Sequence, residues 1–354
     1  MNNTFENRYS TEERKTRSLD TVMNLRKENF RYYDVVSDCI DPTTDRHLVS
    51  PNDSTMTRYT AFRNNKIDYD ADSSMEANVI YEKIFGKVIN RLDKKVIRRQ
   101  YDRENKYNKY GLKYELGEPD CTGGLSFRGD TMNSVATTNK AYYWDHKELH
   151  KSATGREFPW PKEALTFIDL YHTPGNFMPL PWREGISINQ SRGTGTSRDF
   201  FDIFLMAIYN YFLEEDGKEP VNRIRLRHVL GNNDKLILFM KYFLLPFIED
   251  DKRRFDNQPC QLVDDIEDGS NMICYVTPGW ESFIDKYLLQ DYTEKGHYGH
   301  YGKPKELWAG HFDSYDKNGN ALPFREEQYL EFWRNASNLI IKRNDRIFDA
   351  LHGL

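Results

Sequence analysis

Between residues 167 and 213 the chain reads FIDLYHTPGNFMPLPWREGISINQSRGTGTSRDFFDIFLMAIYNYFL, and side chains able to bind or activate a ligand are densest here. His172 and Asn176 flank a Pro-Gly turn. Asn189, Gln190, Arg192, Gly193 and Arg198 share a polar loop, and Asp202 opens a strongly apolar segment. A loop of arginines, hydroxyls and glycines that runs into a helix is suited to an anion. Glycines let backbone amides approach, the first amides of a helix lack intrahelical acceptors, and each guanidinium offers a fork of donors. On this reading Arg192, Gly193 and Arg198 hold a phosphate, supported by Gln190 and Asp202. His172, Asn176 and Asn189 are then the candidate catalytic residues. No Lys-Ser/Thr pair follows the glycines, so this is not a Walker loop. The bland alternative is a helix cap from Ser197 or Asp199, with the arginines paired to Asp202 or Glu184.

The order His172, Gly175-Asn176-Phe177, then Asn189 ahead of a helix resembles the His-Me finger nucleases. That resemblance implies a divalent metal ion held between a hairpin and a helix, with a histidine activating water against a phosphodiester. Asp145 and His146 are the candidate metal ligands. His146 stands 26 residues before His172, so a further element would have to bring them together. Otherwise His172 is a turn histidine bonded to backbone.

Three other groupings carry chemistry of the same kind. His297 and His300, in a Gly- and Tyr-rich stretch, with His311 and Asp313 downstream, could ligate a metal or could simply form a surface loop. Asp68, Asp70 and Asp72 begin like a calcium loop. Ser73 stands where glycine is required and Val79 where a bidentate glutamate belongs, which excludes it. Basic runs at Lys94–Arg103 and at Arg223, Arg225, Arg227 and His228 could follow a phosphate backbone, or be solvated helix ends.

Several elements must position these residues. Apolar residues at helical spacing predict helices over Ser74–Gln100, Pro161–Leu170, from Asp199 onward, Asn222–Leu230, Lys235–Phe247, Trp280–Tyr292 and Glu326–Leu351, with a shorter one at Ala141–His150. Thr11–Lys27 reads as a surface helix and Phe30–Val36 as a strand. Gly117–Thr138 reads as turns and short strands, Asp250–Gly269 as an acidic surface loop, and Asp316–Asn320 as a turn. The fold class expected is mainly α, a helical C-terminal half with a smaller mixed α/β N-terminal region. Its two parts are 1–115 and 116–354, separated near the Tyr/Lys/Asn-rich connector at Tyr101–Tyr114.

The bulk properties set the outer limits. At 354 residues there is ample chain for a large core, and 14% aromatic content supplies the burial that opposes chain entropy. A mean hydropathy of -0.81 and no long apolar run argue against a membrane span. The first residues lack an apolar signal core, and four scattered cysteines form no CxxC pair, so reduced thiols in the cytoplasm are expected. A net charge of -5 gives no global attraction for nucleic acid, so any phosphate recognition must rest on a local patch.

Several short segments resemble, in order, an uncharacterised bacterial protein family of unknown function. They are Thr173-Pro174-Gly175 and the loop Ser187-Ile188-Asn189-Gln190-Ser191-Arg192-Gly193. Phe201-Asp202 with Ile208 and Tyr211 come next, then Phe283 to Asp291 with its Leu-Leu-Gln-Asp end, and Arg343-Asn344-Asp345-Arg346-Ile347. The similarity covers roughly the C-terminal half. It implies a shared fold and carries no activity. Together these readings lead to an expectation of phosphate-bearing ligand recognition, a nucleotide or nucleic acid, with metal-assisted phosphodiester hydrolysis as its catalytic form. The alternative is a non-enzymatic interaction module, in which aromatic surface and the 250–278 insert bind a partner chain while the polar loop braces the core.

Overall fold

The computed structural model describes residues 19–33, 35, 75–92, 113–115, 124–126, 162–171, 173–178, 180–183, 186–187, 201–215, 224, 226, 229, 243–244, 247, 261–264, 273–276, 278–296, 299–313 and 326–354. The described chain is mainly helical. Its helices are α1 (Lys27–Phe30), α2 (Met75–Leu92), α3 (Lys162–Leu170), α4 (Phe201–Glu215), α5 (Pro278–Lys286) and α6 (Glu326–His352), with 3-10 turns at Pro174–Asn176 and Gln290–Tyr292.

The spine is α6, whose 27 residues span roughly 40 Å at the usual rise per residue. Tyr329, Trp333, Ala336, Ile340, Arg343, Ile347 and Leu351 are buried along it at three- and four-residue intervals, which lays one continuous stripe against the core. Phe167 of α3 meets Phe332, and Phe30 of α1 meets Phe348, each with ring centroids 5.6 Å apart. Lys27 and Arg31, one helical turn apart, reach Asp349 and Asp345 at 2.7 and 2.6 Å.

Helix α4 differs in kind. Every residue from Phe201 to Ile208 is buried, and all but Asp202 are apolar, so this part of the helix runs through the interior. Phe201 packs edge-on against Tyr292, and Tyr209 against Trp280 of α5. Phe283 and Tyr287 continue the inner face of α5 and receive Phe243 and Phe247. Helix α5 ends where Leu288 turns left-handed at φ 55 and the Leu289 amide bonds back to Ile284 O at 2.9 Å. That closure is a Schellman-type stop built on a non-glycine residue.

The strands are short and antiparallel. β1 (Lys113–Glu115), β2 (Gly124–Ser126), β3 (Leu180–Arg183) and β4 (Ile186–Ser187) form one sheet in chain order, with Leu125 opposite Pro181 and Trp182 opposite Ser187. β5 (Gln261–Asp264) pairs with β6 (Ile273–Val276), and β7 (Thr293–Lys295) with β8 (Tyr301–Pro304).

Three expectations change. Phe30 closes a helical turn and residues 31, 32 and 35 are turn, where a strand over Phe30–Val36 was expected; the helical turn aligns Lys27, Phe30 and Arg31 with their partners on α6. Within the expected acidic loop, 261–264 is a strand paired to 273–276. The helix expected to run to Tyr292 stops at Lys286. The expected helix at Ala141–His150 and turn at Asp316–Asn320 lie outside the described residues, as do residues 11–18 of the expected helix Thr11–Lys27, of which 19–23 and 27 are helical. Among the described residues no helix is long and apolar enough to cross a membrane.

Candidate functional site

The entry to α4 is held by a buried carboxylate–imidazole pair. Asp202 sits in the first turn, where an acidic side chain favours the helix dipole. Its Oδ1 accepts the Ile203 amide at 2.9 Å. Its Oδ2 accepts the Leu307 amide at 2.9 Å and faces His311 Nδ1 at 2.5 Å. Both side chains are buried, and the imidazole lies tilted by 33° against Trp308 with centroids 3.5 Å apart. A carboxylate this close is matched by a proton on Nδ1, and the contact fixes the ring's orientation.

The segment carrying His311 is itself clamped. Glu306 accepts the Gly310 and Phe312 amides at 3.1 and 2.8 Å, and Asn335 of α6 donates to Leu307 O at 2.8 Å. With Phe201 on Tyr292 as well, the start of α4 is locked from both sides. An Asp-oriented histidine is the arrangement that general bases use. Here the ring is only 1% exposed, so what it does in the described structure is position the chain.

The Pro-Gly turn makes a second polar node. Asn344 receives the Gly175 amide on Oδ1 at 2.6 Å and donates through Nδ2 to Thr173 Oγ1 and to Arg31 O, both at 2.9 Å. Asn176 is buried and turns its amide to Tyr171 O at 2.9 Å. Arg343, fully buried, donates to Gly175 O, Phe177 O and Tyr287 O between 2.8 and 3.3 Å. A Cβ on Gly175 would come within 2.5 Å of Ile340 O, so only glycine permits this approach. Thr173–Gly175, Arg343-Asn344 and the end of α5, far apart in sequence, therefore meet at one point.

A third cluster lies between α5 and the β7–β8 hairpin. Glu281 Oε1 accepts the Tyr301 amide at 2.7 Å, and its Oε2 lies 3.7 Å from His300 Nδ1. Asp285 Oδ1 accepts the Tyr301 hydroxyl at 2.6 Å. Burial raises the Glu281 carboxyl above the ordinary range, against the lowering effect of the Tyr301 amide and His300. Burial, then the bond to Asp285, raises the Tyr301 hydroxyl.

Of the residues singled out from sequence, the structure describes Asn176 and Asp202, and places them in the two separate nodes above. His172, Asn189, Gln190, Arg192, Gly193, Arg198, Asp145 and His146 lie outside the described residues. The histidines that could have ligated a metal are divided: His300 faces Glu281, His311 faces Asp202, Asp313 is exposed, and His297 is outside the described residues. Among the described residues no three His, Cys, Asp or Glu side chains are grouped to hold a metal ion. The Asp202–His311 partnership escaped sequence reading, since 109 residues separate its members and no local pattern links them.

No family model, no curated protein and no solved structure matches the chain.

Proposed function

We propose that this protein recognises a phosphate-bearing ligand, a nucleotide or nucleic acid, at the entry to α4, with Arg192 and Arg198 holding the anion. The observation that best supports this is the state of Asp202. It is one of the carboxylates with which the sequence could have paired the arginines, and it is already engaged inside the protein by His311 and two amides. Three of its roughly four acceptor directions are filled, so it is a poor counter-ion for the arginines. Arg198 precedes the anchored Phe201 by three residues, which confines its Cα to about 11 Å from that of Phe201. A rigid helix entry that follows a cation-bearing segment in the chain is the preorganisation that anion binding needs.

Metal-assisted phosphodiester hydrolysis is the catalytic form of the proposal and is separable from binding. In it Asp145 and His146 would hold a divalent ion that supplies Lewis-acid activation, while His172 serves as base and Asn189 orients the ligand; Asn176, buried and bonded to Tyr171 O, takes no part. Membership of the uncharacterised bacterial family and a cytoplasmic setting belong to the same proposal. So do the finer architecture, a helical C-terminal half with a mixed N-terminal region, and the partition at 115/116.

Calorimetric titration with a panel of nucleotides and short oligonucleotides tests the reading. Arg192→Ala and Arg198→Ala should each weaken binding at least tenfold, roughly the 1.4 kcal/mol expected for one lost charged contact, with Tm unchanged. A wild type that binds nothing on the panel, or an Arg192→Ala protein that no longer folds, overturns it. A second reading has its own support. Thr173, Gly175, Asn176 and Asn344 are buried in mutual and backbone hydrogen bonds, as a non-enzymatic interaction module with a structural polar node requires. Co-purification of one defined protein partner, with no ligand bound, would favour it.

A further inference from the structure

The last residue of α6, His352, joins that helix to an early part of the chain. Its ring stacks on Phe348, one turn back, with centroids 4.0 Å apart. Each ring nitrogen faces a carbonyl oxygen: Nδ1 lies 2.8 Å from Phe348 O, and Nε2 lies 3.1 Å from Met23 O. Met23 ends the helical segment 19–23, so its carbonyl has no amide of that helix to accept from. A carbonyl oxygen can only accept. A neutral imidazole carries one N–H and satisfies one of these oxygens, while its other nitrogen turns a lone pair on the second. The imidazolium alone donates to both. Its place at the end of a 27-residue helix favours that cation as well. The ring is half-buried, so solvent protons reach it.

Charged groups enter this neighbourhood from each element packed here. On α6, Asp345 and Asp349 are held by Arg31 and Lys27 at 2.6 and 2.7 Å. Asp20, Arg26 and Glu28 stand on the same stretch as Met23 and are exposed. From α2, Lys83 Nζ lies 3.6 Å from Met23 Sδ, with Glu82 beside it in the chain. Carboxylates, ammonium and guanidinium groups ordinarily keep their charge from about pH 5 to 8, the range that imidazole crosses.

We propose that His352 is a proton-controlled clasp, which ties the segment 19–23 to the end of α6 while the ring is charged and lets it part when the ring loses its proton. As pH rises through the imidazole range, the remaining N–H stays with Phe348 O, the closer oxygen and on the same helix. Met23 O then loses its donor. Arg26, extended at φ -77 and ψ 153, separates the segment from α1 and lets it move alone. Helix α1 itself is fastened by Phe30 on Phe348 and by its two ion pairs, none of which involves an imidazole. Val22 is fully buried and opposes release, so the clasp acts by changing how often the segment opens.

Amide hydrogen exchange on the full chain, read near the two ends of the imidazole range and corrected for the intrinsic rate at each pH, tests the clasp. The Asn24 and Leu25 amides, bonded to Asp20 O and Val22 O at 3.1 and 3.3 Å, report on the segment. The Arg31 and Tyr33 amides, bonded to Lys27 O and Phe30 O at 3.1 Å each, report on α1. Protection of the first pair should fall about tenfold from the lower pH to the higher, as for the loss of one hydrogen bond to a charged group. The second pair should hold steady. His352→Gln, neutral throughout, should leave Asn24 and Leu25 at one low level of protection at both pH values. Equal protection of that pair at the two pH values in wild type overturns the proposal. So does a fall of the same size in both pairs, or a fall that survives in His352→Gln. Should the variant fail to fold, the wild-type contrast between the two pairs decides by itself.

Discussion

Arg343 is a guanidinium enclosed on all sides whose described acceptors are three carbonyl groups. Burial pushes its pKa down, yet an arginine stays charged at any ordinary pH. Peptide dipoles from the Pro-Gly turn and the end of α5 provide the compensation. Arg343→Met keeps the bulk of the side chain and removes the donors, so those carbonyls lose their partner in the interior. The expected cost is about 3–5 kcal/mol, read as a lower urea midpoint. Gly175→Ala acts on the same node by volume. Its Cβ would fall 2.5 Å from a backbone oxygen of α6, which cannot yield as a side-chain tip could. Destabilisation by roughly 1–3 kcal/mol is expected in the same assay.

At the scale of elements, α5 and the β7–β8 hairpin share a titratable contact. Glu281 faces the Tyr301 amide and His300 from the hairpin and Asp285 from its own helix. Its carboxyl holds a proton more readily folded than unfolded. From its ordinary 4.5 up to the raised value the native state therefore binds more protons, and this group's contribution to stability falls as pH rises. Glu281→Gln keeps an acceptor for Tyr301 and abolishes that fall. The difference in Tm between variant and wild type should therefore shift in favour of the variant as pH climbs through the window.

The elements themselves were legible in sequence to unequal degrees. Helices α3, α4 and α6 announce themselves through stripes such as Phe167/Leu170 and Tyr329/Trp333/Ile340, because helical spacing is a local property. Helix α1 does not, since four residues carry little pattern and α6 decides their conformation. The hairpin strands 261–264 and 273–276 were hidden by the charged, acidic stretch around them, which reads as loop. Thr173-Pro174-Gly175 and Arg343-Asn344 stand out as motifs, but nothing nearby in sequence says that Asn344 completes the turn at Gly175. The pairing of Asp202 with His311 was invisible for the same reason, and the Gly- and Tyr-rich stretch upstream of that histidine reads as a surface loop.

For the whole molecule, the chain's early helix is fastened to its last one by two unequal means. Lys27–Asp349 and Arg31–Asp345 are short but partly exposed ion pairs, whereas Phe30 is fully enclosed against Phe348. Surface pairs contribute little and are screened by salt, while removing a buried ring costs about 3–5 kcal/mol. Neutralising Asp345 and Asp349 to Asn should lower Tm slightly, with the difference vanishing at high salt. Phe30→Ala should lower it severely at every salt concentration.

The convergence on Arg343 also governs how the chain can reach this state. Any species that has collapsed with the last helix in place but with either the turn at 173–177 or the end at Tyr287 still undocked would strand a permanent cation in a dry interior. Such half-built species are too costly to accumulate, so these three distant stretches must arrive together. Melting followed by far-ultraviolet dichroism and by tryptophan emission should then trace one coincident transition, and Arg343→Met should pull the two curves apart.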